Sequence, residues 1–311
     1  MITIVSKLTN YFTAHPLPYS ALQVTSTYIS GIHLSTKDRK LKNYFILPIS
    51  GGIIQPSFEK SNITDSALLQ KIISEGVEKF DIYDHGVALI IPELSQRTFV
   101  FSFDTFPATS KEKEQLIRFR VKKQMPLLSD DVRISHDVLQ AKNGKRVISS
   151  LARSNVVGDY ENFFSQLNLK IKSVSLPLLG LSNLVNWNKE KDFFLINIEK
   201  ESFGLLAITD SEPSLYRQKP LMARADGNYL SERIQNIVQE IENTVQFIHD
   251  KEKREIATIW IRFGLLESEE EILSILESRL SIPIKNIETV VNLNLPGQDK
   301  KMLAPLIGQL L

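Results

Sequence analysis

Residues 22–35 read LQVTSTYISGIHLS, two apolar runs joined at three consecutive hydroxyl side chains, Thr25, Ser26 and Thr27. Such a turn can cradle phosphate when glycine lets backbone N–H groups approach the anion and an acid organises its metal ion. Here the first glycine is Gly31, and no acid lies between Ser20 and Ser30. The stretch has the outline of a nucleotide loop without its chemistry. Residues 81–85, DIYDH, place two acids and a histidine within one short span that could chelate a metal. No other ligand cluster supports it, and a polar loop ahead of the apolar run VALII accounts for it, so no metal site is expected. His136 and Asp137 could form a catalytic pair, but adjacent strand residues point to opposite faces. No G-x-S-x-G elbow accompanies the hydroxyls. His33 reads as an edge-strand residue. Arg118, Arg120, Lys122 and Lys123 could touch nucleic acid, lipid head groups or an acidic partner. With Glu112 and Glu114 nearby, a solvated helix face is the simpler reading.

The whole-chain balance narrows the classes. At 311 residues there is material for one large domain or two lobes. A 42% hydrophobic and 23% charged composition is that of a soluble globular protein, and a net charge of +1 gives no overall attraction to nucleic acid or anionic membrane. With no cysteine, disulfides, thiolate zinc sites and thiol nucleophiles are excluded. The first twenty residues lack a signal-peptide core, and no apolar run approaches the roughly 18 residues that cross a bilayer. A cytoplasmic location is the expectation, with any membrane association made through partners.

Strand and helix signals alternate along the chain. VALII (87–91) is a buried strand, and RTFVFSF (97–103) alternates, with Phe99, Phe101 and Phe103 on one face. A helix is expected over 111–124, with Thr109 and Glu112 at capping-box spacing and Pro126 as the stop. RVISSLA (146–152) is a strand, and a helix from Asp159 should bury Phe163, Phe164 and Leu167. Two strands, 192–198 and 204–208, follow in close succession. Between 229 and 250, Ile234, Ile237, Ile241, Val245 and Ile248 make a continuous helical stripe. IATIWI (256–261) is a buried strand, and Ser268 with Glu271 opens another amphipathic helix. Segments 22–34 and 195–208 echo each other as strand, polar turn, strand, each followed by helix and buried strand. Two similar α/β lobes facing a cleft are the expectation.

That layout resembles the actin-like (ribonuclease H-like, duplicated) ATPase fold, and within it the PilM-like type IV pilus assembly proteins. Five stretches, spread from about Val5 to Leu311, carry the resemblance. LQVTSTYISGIHLS stands where the family has a strand, glycine loop and strand. FPATSKEKEQLIRFRVKKQMPLLSDDVRISHDVL (106–139) is similar to the family's inserted subdomain. SNVVGDYENFFSQLNLKIKSVSLPLLGLSNL (154–184) is similar to the helix, turn, strand and helix that follow, with Asn168 in place of the usual glycine. EIENTVQFI (240–248) and MLAPLIGQLL (302–311) resemble two later helices.

The resemblance implies where a nucleotide would sit. By that alignment the first acid is replaced by Gln23, the first loop glycine by Thr25 and the lysine by Ser30. In the second hairpin Asn197 replaces the acid and Glu199 the glycine, facing phosphate with like charge that Lys200 offsets only in part. The adenosine turn, usually Gly-Gly, is Phe263-Gly264. An amide can hydrogen-bond a metal-bound water but cannot neutralise a divalent cation as a carboxylate does. A pseudo-ATPase is expected, without hydrolysis, and with no cofactor; ATP with magnesium is disfavoured.

The resemblance further implies a two-lobed α/β architecture with a small inserted α+β subdomain. Its divisions are residues 1–96 for the first lobe, 97–152 for the subdomain, 153–190 completing the first lobe, and 191–311 for the second lobe with a C-terminal helix returning to the first. The implied role is a scaffold at the inner membrane. It would bind the N-terminal cytoplasmic tail of a PilN-like bitopic protein in a groove between first lobe and subdomain, near Phe99, Phe101, Phe103, Leu116 and Phe119. An extended peptide beside sheet edges suits such a groove. The alternatives are an ATP-binding switch of the same platform, or the cytoplasmic part of a type II secretion platform protein. The latter class continues into a transmembrane helix that is absent before Leu311.

Overall fold

The computed structural model describes residues 18–78, 80, 86–221, 229–264 and 268–311. The DIYDH segment, 81–85, lies outside the described residues.

β1 (Ser20–Val24) and β2 (Tyr28–Leu34) pair antiparallel with Gln23 opposite Ser30, and β3 (Leu41–Pro48) continues beyond β2. α1 (Ser66–Val77) starts at Asp65, whose carboxylate accepts the Leu68 N–H at 3.0 Å, and it buries Leu69 and Ile73. β4 (Val87–Ile90) runs parallel beside β1 and is buried throughout, as its uninterrupted apolar run requires. A 3-10 turn, Glu93–Ser95, leads into β5 (Arg97–Phe103), α2 (Ser110–Gln124), β6 (Val132–Gln140) and β7 (Lys145–Arg153). These strands form a separate sheet of order β5-β7-β6. α2 covers it with Ile117 and Val121, which pack on Phe101, Phe103, Val147 and Leu151. The capping box holds: the Thr109 hydroxyl accepts the Glu112 N–H at 3.3 Å and donates to the Glu112 carboxylate at 2.7 Å.

α3 (Ser154–Gln166) and β8 (Ile171–Ser175) return the chain to the first sheet, where β8 adds parallel to β4. α3 begins at Ser154, not at Asp159, because β7 passes straight into it. Arg153 makes no side-chain cap there, so no start signal marks the junction. Asn168 has φ 57°. It takes the left-handed position where glycine would be expected, which asparagine adopts more readily than most residues with a side chain.

α4 (Pro177–Ser182) precedes the second lobe, made of β9 (Phe193–Ile198), β10 (Ser202–Thr209), β11 (Glu212–Pro220), α5 (Tyr229–Glu252), β12 (Thr258–Phe263), α6 (Glu269–Arg279) and β13 (Ile284–Asn286). Its sheet order, β11-β10-β9-β12-β13, repeats β3-β2-β1-β4-β8, with an antiparallel meander and then two parallel additions in each. The isoleucine stripe of α5 is core: Ile234, Ile237, Ile241 and Ile248 are buried with Phe194, Ile196 and Phe203.

α7 (Gly297–Gln309) lies between the sheets with α4. Leu303, Leu306 and Leu310 cover Ala21, Ile32, Ala88 and Ile90 of the first lobe, while Ala304 joins Leu178, Leu181 and Leu195 on the second-lobe side. α4 and α7 touch backbone to backbone: a Cβ on Gly308 would lie 2.0 Å from the Gly180 carbonyl oxygen. Only glycine permits that approach.

His33 is not on an edge. It sits in β2, between β1 and β3, 3% exposed, with Nδ1 2.8 Å from the Ser20 hydroxyl and its ring stacked on Phe80. A strand count cannot be taken from one hairpin, which is why sequence reading placed it wrongly.

Candidate functional site

The hydroxyl-rich turn between β1 and β2 is closed on itself. The Thr25 hydroxyl accepts the N–H groups of Thr27 (3.2 Å) and Tyr28 (2.9 Å) and donates to the Tyr28 carbonyl (2.8 Å). The Thr25 N–H also goes to Tyr28 O, at 3.0 Å. The amides that a phosphate loop would aim at an anion are spent inside the turn. Ser26 is buried and reaches across to Glu201 in the second hairpin.

Gln23, Ser30 and Asn197 are all fully buried and face the space between the lobes. Both amide atoms of Gln23, the Ser30 hydroxyl and the Asn197 Nδ2 have no hydrogen-bond partner among the described residues. Beside them stands a residue that sequence reading did not single out, Arg262 of β12, also fully buried. Its Nε donates to the Lys301 carbonyl at 2.9 Å, Nη1 to Asn197 Oδ1 at 2.8 Å and also to Glu199 Oε1, and Nη2 to the Tyr28 oxygen at 2.5 Å. The Tyr28 hydroxyl in turn donates to Glu199 at 3.3 Å. Four contacts nearly exhaust the five N–H groups of a guanidinium.

This corrects the expectation for Glu199. It is not an isolated carboxylate eased by Lys200: Lys200 is exposed, and the countercharge is Arg262. Gly264 makes room for it, since a Cβ there would lie 2.0 Å from Glu199 Oε2. Burial opposes the charge on Arg262, but the neighbouring Glu199 charge and Tyr28 outweigh it and hold the guanidinium pKa above its ordinary value. Burial raises the Tyr28 phenol. The signal in the sequence was an arginine inside an apolar strand, TIWIRF, where a charge needs a partner.

A second buried acid lies nearby. Glu93 accepts the Tyr216 hydroxyl, and burial pushes its carboxyl pKa up to about 7. Its neighbours come from both lobes: Gln218 of β11 donates to the Glu93 and Gln96 carbonyls at 3.0 and 2.6 Å, and accepts the Thr98 N–H at 3.1 Å.

Where the inserted sheet meets the first lobe, the outer edges of β6 and β8 flank a groove of about 330 Å³. Ala152 and Val157 form its buried floor, and Ile134, Ser135, Ser173 and Val174 its walls. A shallower recess sharing Glu161 and Ile171 extends it past Asn168 and Lys170. Arg133 closes one side, its Nη1 donating to both Glu161 carboxylate oxygens at 2.7 and 2.8 Å. The expected lining residues lie elsewhere. Phe101 and Phe103 are core of the inserted sheet, Phe99 and Leu116 pack on that core, and Phe119 is exposed on α2. Alternation in β5 turns the three phenylalanines toward α2, and Phe58 of the first lobe joins that core. Phe99 and Phe101 also border a cleft facing Arg217 and Phe247 of the second lobe.

The chain covers 95% of its length on a chain of the PilM-PilN type IV pilus biogenesis complex, and 97% of that chain, with TM-score 0.75 and 14% identity. A Bacteroides thetaiotaomicron protein of actin-like ATPase fold and unknown function matches over 94% of this chain and 97% of its own, with TM-score 0.54 and 9% identity. This chain has the actin-like ATPase fold. No protein-family model matches the sequence, and no curated protein matches it. The two hairpins of the fold present Gln23 and Asn197 at corresponding strand ends, each the second-last residue of its strand. Opposite Asn197 on the parallel neighbour stands Arg262; opposite Gln23 stands Ile90. The duplicated fold is therefore symmetric in backbone and asymmetric in charge. Among the described residues, no group of three acids or histidines could hold a metal, and no helix is long and apolar enough to cross a membrane.

Proposed function

We propose that this chain is a scaffold of an inner-membrane type IV pilus or related secretion platform, peripheral to the cytoplasmic face, and that it works without hydrolysing ATP. Its partner is the N-terminal cytoplasmic tail of a PilN-like bitopic protein. The observation that carries this reading is the groove between β6 and β8, two strand edges that carry no further strand among the described residues, in a chain whose fold matches a PilM-PilN complex along nearly its whole length. An extended tail gains backbone hydrogen bonds from such edges, and Ile134 and Val174 offer apolar contacts for alternate side chains.

The non-enzymatic half of the proposal is supported by the cleft. A Mg-nucleotide needs carboxylates for its metal and free N–H groups for its phosphates. The positions hold Gln23 and Asn197, and the turn amides of Thr25, Thr27 and Tyr28 are engaged. Glu199 and Arg262 pair with each other within the second lobe, and both contact Tyr28 of the first lobe. A buried ion pair and a phenol fill the contact beside Asn197, and this set of residues does not suit that ligand.

Two measurements test the proposal. Fluorescence anisotropy with a labelled peptide of the partner's tail should give saturable binding; a flat titration overturns the scaffold reading. Isothermal titration with Mg-ATP should give no binding heat; a micromolar affinity would favour an ATP-binding switch of the same platform.

A further inference from the structure

We propose that the end of α2 and the turn after it form a docking patch for an anionic lipid surface. This contact is independent of the partner-tail reading. Leu127 is 99% exposed and Phe119 is 56% exposed; of the other exposed large apolar residues among those described, Leu311 at the last position is 73% exposed, and Leu68, Val138, Phe247 and Val290 are scattered and at most 40% exposed. The display of Leu127 is built. Met125 and Leu128 on either side pack on the core of the inserted sheet, and the Leu128 N–H closes a turn to the Met125 carbonyl at 3.0 Å. Leu127 is the residue left pointing out of that turn.

Phe119, Lys122 and Lys123 share one face of α2 by their spacing of three and four. The Lys123 ammonium lies 4.6 Å from the Phe119 ring centroid. Residues 110–131 carry six cations (Lys111, Lys113, Arg118, Arg120, Lys122, Lys123) and four acids (Glu112, Glu114, Asp130, Asp131). Glu114 is taken by Arg118 and Asp130 by Lys122. Exposed apolar tips beside exposed lysines match the boundary between acyl chains and phosphate head groups: phenylalanine and leucine enter, Lys123 reaches the phosphates, and Lys122 exchanges its contact with Asp130 for one with a phosphate. A second copy of this chain fits less well, because a two-fold contact would set Lys122 and Lys123 against their own copies. The apolar tips give nucleic acid nothing to pair with. A patch this small binds weakly alone, and it gains from any tether that holds the protein near the bilayer.

The test is vesicle co-sedimentation of the full chain. Phosphatidylcholine vesicles containing phosphatidylglycerol should pellet it, and added salt should release it. The variants F119S/L127S and K122E/K123E should each lower the bound fraction at least about fivefold with unchanged melting temperature. Failure to bind anionic vesicles overturns the proposal, as does equal binding to pure phosphatidylcholine. So does a concentration-dependent dimer that F119S/L127S converts to monomer while vesicle binding stays the same.

Discussion

Tyr28 of β2 and Arg262 of β12 meet between the lobes, with the guanidinium nitrogen 2.5 Å from the phenol oxygen and both side chains fully buried. Glu199 touches both. The lobes meet here through a neutral phenol of the first that touches an ion pair of the second, all desolvated. Breaking such a pair is more costly than never having built it, because one charge stays buried without its partner. Arg262→Ala should therefore destabilise the chain by about 3–5 kcal/mol in urea denaturation. The double variant R262M/E199M should lose much less than the sum of the single changes. Additive losses would mean that the two side chains act independently.

Tyr28→Phe probes the interlobe part of the same cluster. It removes the hydroxyl that accepts from Arg262 and donates to Glu199, leaving both charges in place. The expected cost is about 1–3 kcal/mol. Native-state hydrogen exchange should quicken at the lobe contact before it does so in the cores of the two sheets. Uniform quickening would place the cost in global stability alone.

Glu93 gives a pH signature. Burial raises its carboxyl from the ordinary 4.5 to about 7, against the Tyr216 hydroxyl and the Leu178 N–H, which lower it, and with nearby Glu199 raising it slightly. A carboxyl with a raised folded pKa binds its proton more tightly when folded. Its stabilising contribution is complete below pH 4.5 and is lost as pH rises to about 7. Glu93→Gln mimics the protonated form and keeps an acceptor for Tyr216. At pH 8 this variant should be more stable than the wild type by up to roughly 3 kcal/mol, with the gap closing toward pH 4. A gap that does not change with pH would remove Glu93 from the account.

Much of the architecture was legible in the residues because period and punctuation agree. VALII is buried on both faces, the α5 isoleucines are core, and Thr109 caps α2. The site was half legible. The loss of acid and glycine at Gln23, Thr25 and Asn197 could be read along the chain. The partner of Glu199 could not, since Arg262 lies more than sixty residues away and joins it only because β12 pairs parallel with β9. The lining of the groove between β6 and β8 was not legible for a similar reason. Alternation says that Phe99, Phe101 and Phe103 share a face, but which element covers that face is a tertiary fact, and α2 covers it.

If the groove between β6 and β8 holds a peptide, a charge on its wall should be felt by the ligand and not by the fold. Ser135 is exposed on the strand edge and lines the groove. Ser135→Asp should weaken tail binding at least about tenfold, the equivalent of 1.4 kcal/mol. The melting temperature should stay within a few degrees, as expected for a change at an exposed site. Equal affinity for wild type and variant would move the peptide elsewhere, with the Phe99–Arg217 cleft the next surface to test.

The crossing of α4 and α7 makes the last prediction. Gly180 and Gly308 let the two helices touch, and any Cβ at Gly308 would sit 2.0 Å from the Gly180 oxygen and 3.3 Å from the Leu184 side chain. The first neighbour is backbone and cannot rotate away, so the helices themselves must separate. Because α7 covers Ala21 and Ala88 on one side and meets Leu178 on the other, separation loosens both lobes at once. Gly308→Val should cost about 1–3 kcal/mol or more, the range for overpacking a close contact. Gly297→Val, where a Cβ meets nothing within 4 Å, provides the control and should cost far less. Similar losses at the two positions would show that helix propensity, not the crossing, sets the cost.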